Sequence, residues 1–134
     1  RQLGDQRGVL LALEDLGVIA METGNAGQAR AHFQEGLALS QEVGDKVSSV
    51  QFLERLAGVA VAQGKPACAV ILWSAAGHQR EVLKTPLVLK ELADHETRVS
   101  AVREQVSEEQ FAEAWAAGRI HSLEEAIRYA QTNV

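Results

Sequence analysis

The segment EAWAAGRIHSLEEAI, residues 113–127, brings Arg119, His121, Ser122 and Glu125 close together in the chain. A hydroxyl, an imidazole and a carboxylate are the groups of a nucleophile, its base and the acid that orients the base. Such a hydrolase also needs its serine on a strained turn beside an oxyanion hole, and neither a Gly-x-Ser-x-Gly elbow nor a glycine-rich phosphate loop occurs here. The spacing has a simpler meaning: Ser122 with Glu125 three residues on is a capping box opening a helix, and Gly118 reads as the stop of the helix before it. Ser107 with Gln110 repeats the device upstream, ahead of a helix that carries Phe111, Ala114 and Trp115.

The other reactive side chains also have structural roles available. His32, His78, His95 and His121 form no pair spaced with a carboxylate and a third ligand as a zinc site requires, so neither metal nor cofactor is expected. His78, near a helix end with Arg80 and Glu81, is explained by helix-end electrostatics and solvent. Cys68, between Ala67 and Ala69 with no base nearby, reads as a small inert apolar residue. Arg98 and Arg103 alternate with Glu96 and Glu104, the pattern of a solvated helix face with local ion pairs. With an adequate structural reading for every candidate, no enzyme is expected.

Bulk properties narrow the class further. Thirteen basic residues against 18 acidic ones, a net charge of -5, give no footprint for nucleic acid or anionic lipid. A single cysteine fits a reducing compartment, hence an expected cytoplasmic location. No apolar run reaches the roughly 18 residues of a membrane span, and RQLGDQRG has no signal-peptide core. The first residue is not Met, so a fragment of a longer chain is expected. At 134 residues and 46% hydrophobic, the chain can bury one real core. Only Pro66 and Pro86 interrupt a composition that favours helix throughout.

Sliding the chain forty residues along itself brings out a repeat. Gly4-Asp5 falls on Gly44-Asp45, Leu13-Glu14 on Leu53-Glu54, Leu16 on Leu56, Ala20 on Ala60, Gly24 on Gly64, Ala29 on Ala69 and Phe33 on Trp73. Each unit reads as a helix from Asp5 or Asp45 as N-cap to about residue 23 or 63, with Leu13, Leu16, Gly17 and Ala20 on one stripe. Gly24 and Gly64 end these helices, and Asn25 with Gln28, or Pro66, opens the second helix of the pair. Small residues alternating with an aromatic let two helices approach closely, and such hairpins must stack to bury their faces.

Leu16-Gly17, Ala20, Gly24, Ala29, Phe33 and Gly36 resemble the tetratricopeptide repeat, with a period of forty instead of about 34 residues. Long repeats ending in Gly-Asp are similar to those of the sensor arms of bacterial signalling ATPases and LuxR-type transcription regulators. The resemblance implies an all-α, right-handed solenoid of helical hairpins, about 4–43 and 44–83 within residues 1–84. It also implies that the chain continues upstream of Leu3-Gly4-Asp5.

After residue 84 the period breaks. Thr85-Pro86 reads as N-cap and first residue of a helix whose Val88, Leu92, His95, Val99, Val102 and Val106 form a narrow buried seam. The Phe, Trp, Gly-Arg and Ser-Leu-Glu-Glu-Ala series of residues 111–126 resembles the segment closing the array in the same regulators. It implies a helical cap over residues 85–134, about seven helices in all, in which Trp115 is an anchor whose loss costs about 3 kcal/mol.

In tetratricopeptide arrays the first helix of each hairpin lines the concave face. The resemblance therefore places Leu11, Glu14, Asp15, Val18, Met21, Glu22, Gln51, Glu54, Arg55 and Gly58 there. That mixed apolar and acidic face suits a basic amphipathic segment, a partner helix or a small effector. The expected function is a non-catalytic interaction or sensor arm of a larger bacterial regulator, working on a protein or peptide partner or on upstream domains of its own chain. A structural cap or oligomerisation module, for instance a homodimer, is the alternative. Neither nucleic acid nor membrane is an expected partner.

Overall fold

A computed structural model describes the backbone of residues 3–134 and the side chains of residues 5–134. The described residues form seven helices and no strand: α1 (Leu3–Glu22), α2 (Ala26–Val43), α3 (Lys46–Ala62), α4 (Pro66–Leu83), α5 (Leu89–Arg103), α6 (Glu108–Arg119) and α7 (Leu123–Asn133). The architecture is all-α, as the composition and the helical spacing of apolar residues require.

The first three turns are built alike. Gly24, Gly44 and Gly64 adopt left-handed φ values of 78°, 77° and 74°. The next residue's N–H then reaches back to the last helical turn: Asn25 to Ala20 O at 2.8 Å, Asp45 to Ser40 O at 2.9 Å, Lys65 to Ala60 O at 2.8 Å. The following helix opens at once. Asn25 accepts the Gln28 N–H and Asp45 the Ser48 N–H, both at 3.0 Å, while Pro66 occupies the first turn of α4 without a side-chain cap. Asp5 differs from its expected role: α1 already begins at Leu3, so Asp5 lies in the first turn instead of capping it.

These short turns fold each helix against the next, α1 on α2, α2 on α3 and α3 on α4. Gly17 and Gly36 are points of closest approach, where a Cβ would overlap the rings of Phe33 and Phe52. The two rings lie 6.4 Å apart. Ala20, Phe33, Leu37, Leu53, Leu56, Ala60, Ala69 and Trp73 are buried around them. Leu16 is not part of this core. It is 48% exposed, because its side of α1 points away from α2.

The last three helices depart most from the sequence reading. α5 starts at Leu89, with Val88 as N-cap, three residues beyond the expected Pro86 start. Residues 84–88 form a turn instead, entered through Lys84 at φ 56° and held by the Arg80 guanidinium, which donates to Thr85 O at 2.7 Å. The expected buried seam is mostly open: Val102 is buried, His95, Val99 and Val106 are half-buried, and Val88 and Leu92 are exposed. Arg103 lies 4.5 Å from the centroid of the Phe111 ring, and among the described residues Glu96, Arg98, Arg103 and Glu104 form no ion pair.

α6 packs on α4 through Gly118. A Cβ at Gly118 would collide with the Ile71 carbonyl oxygen and come within 2.7 Å of Ser74 Cβ. Gly118 therefore allows close approach inside α6 and is not its stop; the C-cap is Ile120, with ordinary right-handed φ. Trp115 is half-buried, its ring stacked on Phe111 at 5.9 Å, while its carbonyl accepts the Ser74 hydroxyl at 2.6 Å. α7 returns across α3 and α4, burying Leu123, Ala126, Ile127 and Ala130.

Candidate functional site

The first helices of the two hairpins, α1 and α3, share a groove with α5 above it. Its deeper part is a cavity of about 200 Å³ between Val18, Met21 and Glu22 of α1, Glu54, Arg55 and Gly58 of α3, Trp73 of α4 and Arg98 of α5. A second part of about 260 Å³ runs toward Glu14, Gln51, Glu91, Asp94 and His95. Alternation on α3 makes both walls: Leu53, Leu56 and Ala57 turn to the core, leaving Gln51, Glu54, Arg55 and Gly58 along the groove. Open space lies beside Gly58, where a Cβ would meet nothing within 4 Å.

Charge in the groove is largely tied to the scaffold. Arg80 forms a bidentate pair with Glu54, Nε to Oε2 and Nη2 to Oε1, both at 2.7 Å. The hydrogen bond to Glu54 is the main reason that the Arg80 pKa rises further above its ordinary value. Arg55 Nε donates to Glu14 Oε2 at 3.2 Å, joining α3 to α1. Glu22 and Arg98 stand exposed at the rim. The His95 ring sits edge-on to Trp73 at 5.8 Å, and burial pulls its pKa below the ordinary histidine value.

Of the ten residues expected on this face, Glu14, Val18, Met21, Glu22, Gln51, Glu54, Arg55 and Gly58 line the groove. Leu11 belongs to a neighbouring hollow with Arg7, Asp45 and Val47, and Asp15 is exposed and borders none of these cavities. Sequence reasoning missed the roof. His95 and Arg98 come from α5, which lies outside the repeat, and no periodicity could place it. It also assigned Trp73 to packing alone, although the ring forms the back of the cavity.

The Arg119, His121, Ser122 and Glu125 cluster does not converge. Ser122 Oγ accepts the Glu125 N–H at 3.1 Å and Glu125 Oε1 accepts the Ser122 N–H at 2.9 Å, so hydroxyl and carboxylate serve the helix cap. The Ser122 N–H holds the Glu125 carboxyl below its ordinary pKa. Arg119 reaches α4, where its two terminal nitrogens donate to Glu81 at 3.2 and 3.0 Å. The His121 ring packs on Tyr129 at 5.8 Å. Cys68 Sγ accepts the Tyr129 hydroxyl at 3.2 Å, and burial pushes the tyrosine pKa upward.

Among the described residues no His, Cys, Asp and Glu side chains gather as a group able to hold a metal ion. No helix among them is long and apolar enough to cross a membrane. Comparison with known proteins finds no matching family model, no matching curated protein and no matching solved structure.

Proposed function

We propose that the chain is a non-catalytic interaction module, a tetratricopeptide-like arm of a larger cytoplasmic bacterial regulator, which takes a basic amphipathic helix of a partner along the α1–α3 groove. What supports this reading is α5, which lies over the groove as a loosely held helix. A surface that seats one helix by an aromatic edge and a few apolar contacts has the shape to seat another. Its apolar floor of Val18, Met21 and Trp73, beside Glu14, Glu22, Glu91 and Asp94, favours apolar anchors flanked by lysine or arginine. Engagement there would bias how α5 and the hairpins dock on neighbouring domains, the linkage a sensor arm needs.

Gly58 offers a clean test, because its side-chain direction is empty and leads into the groove. Displayed libraries of basic amphipathic helices selected on the immobilised chain should yield ligands that bind Gly58→Trp at least tenfold more weakly, about 1.4 kcal/mol. The variant should melt no lower than the parent, since it also removes the conformational cost of a glycine inside a helix. Selection that yields only ligands indifferent to Gly58→Trp would refute the groove as the binding face.

A further inference from the structure

Arg98, Ala101, Val102 and Gln105 stand at helical spacing and form one face of α5, the face turned toward the hairpins. Between that face and the hairpins lies a further cavity of about 250 Å³, adjoining the deep part of the groove. Met21, Val61, Trp73, Ala101 and Val102 give it an apolar wall, and Gly58 adds no side chain to it. Arg98 and Gln105 are its polar borders, and no carboxylate among the described residues lines it. An apolar cavity of roughly 150 Å³ takes one benzene, so this one has room for two fused rings.

Arg98 sets the cavity apart from the rest of the groove. Arg55 is paired with Glu14 and Arg80 with Glu54, whereas Arg98 forms no ion pair among the described residues. A basic helix lying in the groove gains nothing from a guanidinium there, since like charges repel. Apolar walls beside one uncommitted cation fit a molecule with an apolar body and one negative charge. Glu22 borders the adjoining cavity, which favours that single charge over the nearly two charges of a phosphate.

We propose that the cavity beneath α5 binds a small aromatic carboxylate, its ring system against Trp73 and its carboxylate on Arg98 at the exposed rim. The guanidinium fork receives a carboxylate through two parallel N–H donors, and a rigid ring fills the volume with little conformational freedom to lose. The ligand would touch α5 on one side and α1, α3 and α4 on the other. Its binding therefore fastens a helix that has Val102 as its one buried residue. This inference goes beyond helix recognition in the groove and does not rest on it.

Calorimetric titration of the full chain with 2-naphthoate and with its neutral isostere 2-naphthamide tests the assignment. The carboxylate should bind saturably with a Kd below about 1 mM. It should bind at least tenfold more tightly than the amide, and Arg98→Gln, at an exposed position, should erase that preference. Ala101→Trp, which places an indole in the cavity from the exposed side of α5, should abolish binding of both. At ten times its Kd, 2-naphthoate should slow exchange of the α5 amides about tenfold. The proposal is overturned by absence of saturable binding, by equal affinity for acid and amide, by a preference that survives Arg98→Gln, by binding that survives Ala101→Trp, or by unchanged α5 exchange. Helices selected on the groove are tested through Gly58 and have no need of Arg98, so either reading can fail without the other.

Discussion

Gly58 and Gly118 share a residue type and both lie within helices, and their surroundings give them opposite roles. Around Gly58 a Cβ finds open space, so Gly58→Ala removes only the conformational cost of glycine and should stabilise the chain by about 0.5–1 kcal/mol. At Gly118 a Cβ meets the α4 backbone at Ile71 and Ala75, atoms that cannot step aside alone, and Gly118→Ala should destabilise by about 1–3 kcal/mol. Urea unfolding of the two variants checks both signs; equal shifts in one direction would contradict the close approach of α6 to α4. The same packing revises the anchor of the cap. Trp115 is half exposed and Phe111 is buried, so Phe111→Ala should cost about 3 kcal/mol and Trp115→Ala less. A larger loss at Trp115 would show that the indole carries the cap. Sequence spacing made Gly118 look like a helix stop because the two uses of glycine, left-handed φ and absent side chain, leave the same letter. Gly24 and Gly64 were readable, since the Asn25–Gln28 capping pair follows the one and Pro66 the other.

Among the elements, α5 is the one held least firmly. Leu89 is 86% exposed, Val102 is its one buried residue, and the helix meets the rest mainly through the His95 edge on Trp73 and Arg103 on Phe111. Its attachment should therefore depend on pH. Burial lowers the His95 pKa in the fold, with Arg98 and Arg80 acting in the same direction against Glu54 and Glu96. The folded state thus prefers neutral His95. This contribution is complete above the unfolded value near 6.5 and is lost as pH falls through it toward the lowered folded value. Exchange of α5 amides should accelerate, relative to α3, between pH 7.5 and about pH 5, and His95→Gln should flatten that difference. Uniform acceleration in both helices would remove His95 from the account. The eight groove residues on α1 and α3 were legible through the resemblance, which assigns the first helix of each hairpin to one face; the position of α5 was not. Its alternating apolar residues predicted a buried seam, but a 3–4 spacing specifies a face without naming the surface it meets, and here half of that face meets solvent.

For the molecule as a whole, α7 joins what the turns keep apart. Gln34 of α2 donates to Ala130 O at 3.0 Å, Arg30 to Val134 O at 3.1 Å, and Lys65, in the turn before α4, to Asn133 O at 3.0 Å. Those carbonyls lie at the C-terminal end of α7, where the Val134 N–H also reaches Ala130 O at 3.2 Å, and side chains from both hairpins complete the helix end. Ile127 and Ala130 are buried beneath it. None of this could be read from the sequence, because the donors are ordinary surface residue types separated from their acceptors by 68 to 104 positions. A helix clasped to two hairpins should couple their unfolding, whereas a stack of nearest neighbours would let the hairpins open independently. Ile127→Ala, which deletes most of a buried side chain, should destabilise by about 2–5 kcal/mol. The distribution of the loss is the decisive measurement. Native-state exchange should quicken by a similar factor in α2, α3 and α4, because the clasp touches each hairpin; acceleration limited to α6 and α7 would mean that the last helix merely covers the stack without binding it together.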